Sequence, residues 1–409
     1  MSVTAIVTEY NPFHNGHKYN LNMAKKITNC DYTISIMSGS FLQRGEPALF
    51  DKWSRAKMAV LGGLDLVIEL PVLYSCQPAE NFAYGAIKIL ESLNIVDYLC
   101  FGSESGNIND LFKISSMLIS ESNSFKKRIN KELARGISYS KAIGETIDSI
   151  FGDNTIQPNN ILGIEYIKAI LKQGSRIKPI TIKRIKNDYS ETVITGSISS
   201  ATAIRKELKT KGISNSIISS IPEATLDIMK ENLSNNKGPI FFENFTNMIL
   251  YQLRKSNISE LAKLPYIREG IEYRLKNKGD TSFSLTGLID AVKTKRYTRT
   301  YIQRMLCHML LGINQNDVML SKAENSQIYI RVLAFNKKGR ELLKKIKSSA
   351  SCPIIIKTAN FKSQNYFLNR MFQLDILSTN IYNLAEKNPA YKIANQDYLS
   401  SPYFIEKPD

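Results

Sequence analysis

The strongest structural signal in this chain is the segment Val3-Thr4-Ala5-Ile6-Val7-Thr8-Glu9-Tyr10-Asn11-Pro12-Phe13-His14-Asn15-Gly16-His17. Its first six residues are a short run rich in β-branched side chains, which predicts a strand. Turn-forming residues follow, and Leu21, Ala24 and Ile27 then recur at helical spacing. The segment therefore predicts a strand, a loop of a size that suits a phosphate group, and a helix.

The same alternation continues to about residue 101. Strands are predicted over 33–37, 66–70 and 98–101, and helices over 54–61 and 82–93. These strands are apolar nearly throughout, as strands covered on both faces should be. We predict an α/β fold with a Rossmann-like parallel sheet, whose ligand lies at the carboxyl ends of the strands.

The alternation stops near residue 215. Before that point, residues 108–150 and 161–171 look helical, 179–185 predicts a strand, and 197–208 predicts a serine-rich turn that enters a helix. After it, the patterns predict helices over 245–254, 267–277, 284–293 and 300–311, then strand, helix and strand over 328–357, and a helix over 366–385. We predict an α/β domain over residues 1–212, a mainly helical domain over 213–325, and a small α/β C-terminal region over 326–409.

The formal charge of the chain is +17. Residues 1–100 are nearly neutral, and most of the excess lies beyond residue 200. A positive field of this kind attracts polyanions such as nucleic acid, although lysine enrichment in an AT-rich genome is an alternative explanation.

Several classes of protein are not supported by the sequence. The N-terminus lacks the basic and apolar regions of a signal peptide, and no apolar run approaches the ~18 residues of a membrane span. Five cysteines are far apart, without the spacing of a zinc site or a disulfide framework: Cys30, Cys76, Cys100, Cys307 and Cys352. We expect a cytoplasmic protein with reduced thiols, no membrane association and no protein-bound metal.

The tetrapeptide His14-Asn15-Gly16-His17 is the clearest candidate site, and it contains two of the three histidines in the chain. A glycine allows close approach of a phosphate, and free amides at the following helix N-terminus favour anionic oxygen. The histidines would donate hydrogen bonds to phosphoryl oxygens and stabilise charge that develops at an α-phosphate. The alternative is a chance tetrapeptide whose histidines belong to a buried polar network.

A second candidate is the turn that contains Ser200, Thr202 and Arg205. Its hydroxyls and free amides could hold the β- and γ-phosphates while the arginine neutralises their charge. An ordinary helix N-cap would explain the same residues.

Together, the two elements resemble the nucleotidyltransferase superfamily. Longer stretches resemble the bacterial tRNA(Met) cytidine acetate ligase family: residues 9–17, 37–41, 44–48, 55–59, 65–71, 101–104, 158–163 and 293–298. The resemblance spans most of the chain and is weakest over the last 80 or so residues. One departure is visible, because Ala201 and Ala203 occupy positions where relatives often have glycine or serine.

The resemblance implies an enzyme that activates acetate with ATP as acetyladenylate and then acetylates the wobble cytidine of elongator tRNA(Met). His14 and His17 would be catalytic, and Mg²⁺ is expected through the ATP phosphates. ATP would be surrounded by Val7, Thr8, Glu9, Tyr10, Asn11, Pro12, Phe13, His14, Asn15, Gly16, His17, Lys18, Tyr19, Asn20, Gly102, Asn159, Arg184, Ser200, Thr202 and Arg205. Of these, Arg184 could equally be a surface residue of an alternating strand.

Acetate needs a small pocket with a cation or N–H donors, and the candidates are Ser38, Gly39, Arg44 and Lys52. Contact with tRNA, or simple solvation, would explain any of them equally. For tRNA, closely spaced cations with an interleaved aromatic suit backbone contacts and base stacking: Lys293, Lys295, Arg296, Tyr297 and Arg299. A solvated helix start would look similar. This interpretation assigns ATP binding to residues 1–212 and tRNA binding to 213–325.

Three other functions remain open at this point. The first is an adenylyltransferase that makes a dinucleotide cofactor, although such enzymes are usually short single domains. The second is a class I aminoacyl-tRNA synthetase, which the absence of a KMSKS-like lysine loop disfavours. The third is a non-catalytic, ATP-responsive tRNA-binding protein. The sequence does not indicate an oligomeric state.

Overall fold

The structure is a computed structural model that describes residues 1–137, 139–152, 155–185, 194, 196, 198–323 and 325–406. Its strands are β1 (Val3–Thr8), β2 (Tyr32–Ser38), β3 (Leu66–Leu70), β4 (Tyr98–Ser103), β5 (Lys178–Lys183), β6 (Ile330–Asn336), β7 (Ile354–Ile355) and β8 (Tyr403–Ile405). They form one sheet in the order β5-β4-β1-β2-β3-β6-β7, and β8 also pairs with β6. Strands β1 to β5 are parallel to one another. The predicted Rossmann-like parallel sheet is confirmed.

The parallel register brings the strand ends together at one edge of the sheet. Thr8 at the end of β1 lies beside Met37, and Ser38 at the end of β2 pairs with Leu70. On the other side of β1, Ser103 at the end of β4 pairs with Lys183. The loops that follow β1, β2, β4 and β5 therefore open at the same edge.

Helices cover both faces of the sheet. In the first half of the chain they are α1 (Asn15–Thr28), α2 (Lys52–Leu61), α3 (Val72–Ser75), α4 (Ala79–Leu93), α5 (Ile108–Ile119), α6 (Asn123–Leu133), α7 (Tyr139–Phe151), α8 (Pro158–Lys172) and α9 (Ala201–Lys211). Val3 and Ala5 face a core shared with α4 and α8, whereas Ile6 faces a second core shared with α1 and α2. The helix that the predicted serine-rich turn enters begins at Ala201, because Ser200 is its N-cap, and residue 197 of that turn lies outside the described residues.

The middle of the chain is helical, as predicted. Its helices are α10 (Asn215–Ser220), α11 (Glu223–Ser234), α12 (Thr246–Lys255), α13 (Ile258–Leu261), α14 (Ile271–Thr281), α15 (Leu285–Val292), α16 (Arg299–Leu311) and α17 (Gln315–Ser321), with a 3-10 turn at Phe242–Phe245. Helix α14 begins four residues later than predicted, because Gly270 before it has a left-handed φ of 79°. Helix α16 packs against the turn at Gly45, where a Cβ would lie 2.3 Å from the Arg304 nitrogen.

The C-terminal strands extend the N-terminal sheet. Strand β6 pairs antiparallel with β3, and β7 and β8 pair with β6. The helices here are α18 (Lys337–Ser349), α19 (Tyr366–Leu384) and α20 (Gln396–Leu399), with 3-10 turns at Thr358–Asn360 and Pro389–Tyr391. The strand predicted over 353–357 is shorter, and β8 was not predicted. Among all the helices described, none combines the length and the apolar composition that a bilayer crossing needs.

Candidate active site

His14 and His17 lie together where the loop after β1 enters α1. The rings stack with centroids 3.7 Å apart and an interplanar angle of 29°. His14 is the N-cap of α1, and its Nδ1 accepts the Gly16 amide at 3.1 Å. His17 Nδ1 accepts the His14 amide at 3.3 Å. Because each Nδ1 is an acceptor, each proton of the neutral rings lies on Nε2, which becomes a donor.

Burial keeps both imidazoles neutral. It lowers the pKa of His14 to about 3, with smaller contributions from the charges of Arg184 and Arg205. Burial, assisted by His14 and Arg184, also lowers the pKa of His17 well below its usual value. Both side chains are therefore hydrogen-bond donors without charge at neutral pH, and the positive charge of the site comes from the arginines.

The aromatic rings of Tyr10 and Phe13 pack against the His17 ring. Tyr10 meets it edge to face with centroids 4.9 Å apart, and the left-handed φ of Tyr10, 45°, turns the loop to bring the ring there. Phe13 is fully buried and packs against Gly62, where a Cβ would lie 2.5 Å from the ring. Asn11 fixes the same loop by accepting the Leu49 amide at 2.7 Å. The histidine pair is thus held by packing as well as by hydrogen bonds.

The ends of β4 and β5 bring Gly102 and Arg184 together. A Cβ on Gly102 would lie 3.3 Å from Arg184 Cγ and 3.5 Å from Asn20 Nδ2. The Arg184 amide donates to the Ser103 carbonyl at 3.0 Å, and its side chain is exposed. Three predicted ATP residues from distant parts of the sequence therefore meet at one strand end.

Asn159 lies at the start of α8, where Glu104 holds it. Glu104 accepts the Asn159 side chain at 2.6 Å and the Asn160 amide at 2.8 Å. In return, Asn160 Oδ1 accepts the Glu104 amide at 2.9 Å. This reciprocal pair fixes the loop after β4 against the N-terminus of α8.

The turn before α9 faces the loop after β1. Ser200 is the N-cap of α9 and accepts the Ala203 amide at 3.1 Å. Arg205 donates to the Asn11 carbonyl at 3.2 Å and forms an ion pair with Glu46 at 3.1 Å. Thr202 lies within 3.4 Å of the same guanidinium. The Ser200–Arg205 element therefore adjoins the histidine loop, and the capping role of Ser200 is observed directly.

The four acetate candidates occupy different environments. Ser38 is fully buried and its hydroxyl has no partner among the described residues, and a Cβ on Gly39 would lie 2.4 Å from Glu69 Oε1. Lys52 is fully buried and pairs with Glu69 at 2.8 Å and Asp397 at 2.6 Å. Arg44 is partly buried in the turn beside Gly45. Ser38 and Gly39 thus lie at the end of β2, whereas the Lys52 ammonium is already balanced by carboxylates.

Four of the tRNA candidates lie in the turn between α15 and α16, and Arg299 is the first residue of α16. Arg296 pairs with Glu269, and Arg299 pairs with Asp290 at 2.7 Å. Lys293 and Lys295 are exposed and make no ion pair with any described residue. Tyr297 is half-buried and donates from its hydroxyl to the Arg268 carbonyl. The Arg296 and Tyr297 amides donate to the Thr294 hydroxyl within the turn, and its two lysines face solvent.

The remaining predicted ATP residues line the same loop and the first turns of α1. Thr8 is hydrogen-bonded to Ser35 at 2.8 Å, and Glu9 accepts the Gln43 amide at 2.8 Å. Asn15 Nδ2 donates to the Ser219 carbonyl at 2.9 Å. Val7, Pro12, Lys18 and Tyr19 complete the segment, with Lys18 exposed and Pro12 buried.

Sequence reasoning left three supporting residues without a role: Glu46, Glu104 and Asn160. All three lie in stretches that carried the family resemblance, yet their partners are up to 159 residues away.

Glu9, Glu46 and Glu104 all have protein partners, and no group of three or more metal-ligating side chains occurs among the described residues.

This chain is similar to known proteins over nearly its whole length. Residues 1–397 match the HIGH Nucleotidyl Transferase family. A tRNA(Met) cytidine acetate ligase of Acetivibrio thermocellus is 42% identical over 412 residues, covering 98% of this chain and 99% of that protein. The ligase of the same name from a Thermoanaerobacter species is 42% identical over 404 residues, with 98% of each chain covered.

Two solved structures have the same fold over their whole length. Thermotoga maritima TmcAL without ligand is 33% identical, with a TM-score of 0.93 and complete coverage of both chains. The same Thermotoga maritima protein bound with alpha-thio ATP has a TM-score of 0.91, again at 33% identity and complete coverage.

Proposed function

This chain belongs to the tRNA(Met) cytidine acetate ligases of the HIGH Nucleotidyl Transferase family, and we propose that it joins acetate to a cytidine of tRNA(Met) with ATP. The observation that carries the proposal is the pair of stacked, neutral imidazoles at the start of α1, each with its Nε2 proton available as a donor. The relatives extend over nearly the whole chain, which disfavours a short dinucleotide-forming adenylyltransferase. Cytoplasmic action follows from the substrates, ATP and tRNA.

In the first step, an acetate oxygen attacks the α-phosphorus and the bond to the bridging oxygen breaks, so that pyrophosphate leaves. Negative charge grows on the phosphoryl oxygens and on the leaving group. Neutral donors fixed in advance stabilise that charge without reorganisation, and His14 and His17 fill this role. Gly102, Asn20 and Arg184 would hold the nucleotide at the ends of β4 and β5, where the side chains of Asn20 and Arg184 lie beside the Gly102 backbone.

In the second step, the N4 amine of the wobble cytidine attacks the acyl carbon of acetyladenylate. AMP leaves and the amine loses a proton, which gives N4-acetylcytidine. Ser38 and Gly39, at the end of β2, are the proposed acetate side of the site. The exposed lysines of the turn between α15 and α16, Lys293 and Lys295, are the proposed tRNA contact.

Magnesium is proposed to bind through the phosphate oxygens of ATP, where it would neutralise charge on the leaving pyrophosphate. Glu9 and Glu46 already accept hydrogen bonds from Gln43 and Arg205, so their carboxylates are less available as metal ligands. An ion bound by the ATP phosphates therefore fits the site better than an ion bound by protein side chains. Arg205 would add a second positive charge beside the β- and γ-phosphates.

The test is acetate-dependent exchange of labelled pyrophosphate into ATP, with no tRNA present. We expect exchange by the wild type and a loss of about 100-fold or more in His17→Ala, since one transition-state donor is removed. Lys26→Ala, an exposed residue of the same helix, is the control. Exchange that requires a phosphate ester instead of acetate would contradict the proposal and favour an adenylyltransferase.

A further inference from the structure

Arg55 in α2 is a fully buried cation that lacks a carboxylate partner. Its side chain has no exposed surface, and it forms no ion pair with any residue in the described ranges. Burial lowers the pKa of the guanidinium. Removing a charge from water without an opposite charge is costly, so such a residue persists only where hydrogen bonds compensate it.

The guanidinium is compensated by backbone carbonyls from three separate segments. Nη1 donates to the Glu9 carbonyl at 2.6 Å and to the Ser38 carbonyl at 3.1 Å. Nη2 donates to the Gly39 carbonyl, and Nε donates to the Phe50 carbonyl at 3.0 Å. A planar fork with five N–H donors can serve these acceptors at once, which an ammonium cannot do.

The Glu9, Ser38 and Gly39 carbonyls lie at the ends of β1 and β2, on which the proposed reaction depends, whereas Phe50 lies just before α2. Glu9 immediately precedes Tyr10, whose ring supports His17. Ser38 ends β2 and Gly39 begins the loop after it, on the proposed acetate side. One side chain therefore ties the histidine loop to the neighbouring loop at a fixed spacing.

We propose that Arg55 is a positioning residue that aligns acetate with the α-phosphate by holding the loops after β1 and β2 together. The inference rests on the proposed function, because the second loop is assigned to acetate there. Arg55 does not contact His14, His17 or Arg205, so the proposal assigns it the spacing of the two loops and leaves the ATP phosphates to those donors. A displacement of about 1 Å between reacting groups can reduce a rate by about 100-fold, so a modest shift of either loop is sufficient.

The experiment compares wild type, Arg55→Lys and Arg55→Gln in three measurements on the full chain: folded fraction, the Kd of ATP, and acetate-dependent pyrophosphate exchange per folded molecule. The lysine variant keeps the charge but cannot reach all four carbonyls. The glutamine variant removes the buried charge, and with it the free-energy cost of burying that charge on folding. Lys57→Gln, two residues along α2 and partly exposed, is the matched control.

The expected result is a fall in kcat of at least tenfold in both variants with a Kd of ATP within about threefold of wild type. Exchange per folded molecule equal to wild type overturns the positioning role alone and leaves the proposed function standing. Loss of ATP binding in proportion to kcat, or failure of both variants to fold, also overturns it, because Arg55 would then only stabilise the fold. Absence of exchange in the wild type contradicts the proposed function itself.

Discussion

The His14 ring occupies the space that a side chain on Gly16 would need. A Cβ built on Gly16 would lie 2.9 Å from His14 Cε1 and 3.0 Å from its Nδ1. The glycine therefore has a packing role in addition to the phosphate contact proposed for it. It allows the N-cap imidazole to fold back over the start of α1, where Nδ1 reaches the Gly16 amide.

We expect Gly16→Ala to lower activity while changing stability little. Alanine favours a helix over glycine by up to about 1 kcal/mol, and loss of the His14 cap costs about 1 kcal/mol, so the free energy of unfolding should change little. The added methyl displaces the His14 ring, and we expect pyrophosphate exchange to fall at least tenfold. Gly144→Ala in α7 is the matched control, because a Cβ there meets only Ile156 at 3.8 Å. Unchanged exchange in Gly16→Ala would show that the ring position is not needed.

The neutral state of His14 predicts how stability depends on pH. Its folded pKa of about 3 lies below the usual 6.5, so between these values only the unfolded chain binds the proton. His14 therefore costs the folded state no stability above about pH 6.5. The free energy of unfolding falls progressively as the pH falls from about 6.5 towards about 3. Asn is a good N-cap without a titratable group, so His14→Asn keeps the cap and removes the effect.

From pH 7 to pH 5, the free energy of unfolding should fall by about 2 kcal/mol more in the wild type than in His14→Asn. Denaturant unfolding of both proteins at the two pH values measures this difference. Buried carboxyls whose pKa is raised, such as Asp375, are present in both proteins and cancel in the comparison. Parallel losses in the two proteins would mean that His14 is not held neutral by the fold.

Local patterns explain which parts of the structure were predictable. Strands β1 to β4 are short runs of mainly apolar residues, and the histidine loop is one contiguous segment, so the sequence alone predicts both. Strand β8 has only three residues and is defined by pairing with β6 across the chain. The Glu104–Asn160 and Glu46–Arg205 pairs join residues 56 and 159 positions apart, and no local pattern reports such contacts.

Ser200→Ala tests whether the cap of α9 also binds phosphate. Loss of an N-cap costs about 1 kcal/mol of stability, and loss of a hydrogen bond to a charged group costs about 1.5–3 kcal/mol of binding. We expect both effects, with the Kd of ATP raised tenfold or more. Ser284→Ala removes the equivalent cap of α15, whose Ser284 hydroxyl accepts the Gly287 amide at 3.1 Å. That control should lose similar stability and keep its ATP affinity; the same behaviour in Ser200→Ala would leave capping as its only role.

Lys293→Gln/Lys295→Gln tests the proposed tRNA contact. Both lysines are exposed and without an ion pair among the residues described, so their replacement should leave folding and acetate-dependent exchange unchanged. Each phosphate contact contributes roughly 0.7–0.9 to the slope of log affinity against log salt, and the double variant should lower that slope by up to about 2. Lys126→Gln/Lys127→Gln, two exposed lysines of α6, provides a control with the same loss of charge. Equal salt slopes for the two double variants, measured by tRNA(Met) binding, would mean that only net charge matters and that tRNA binds another surface.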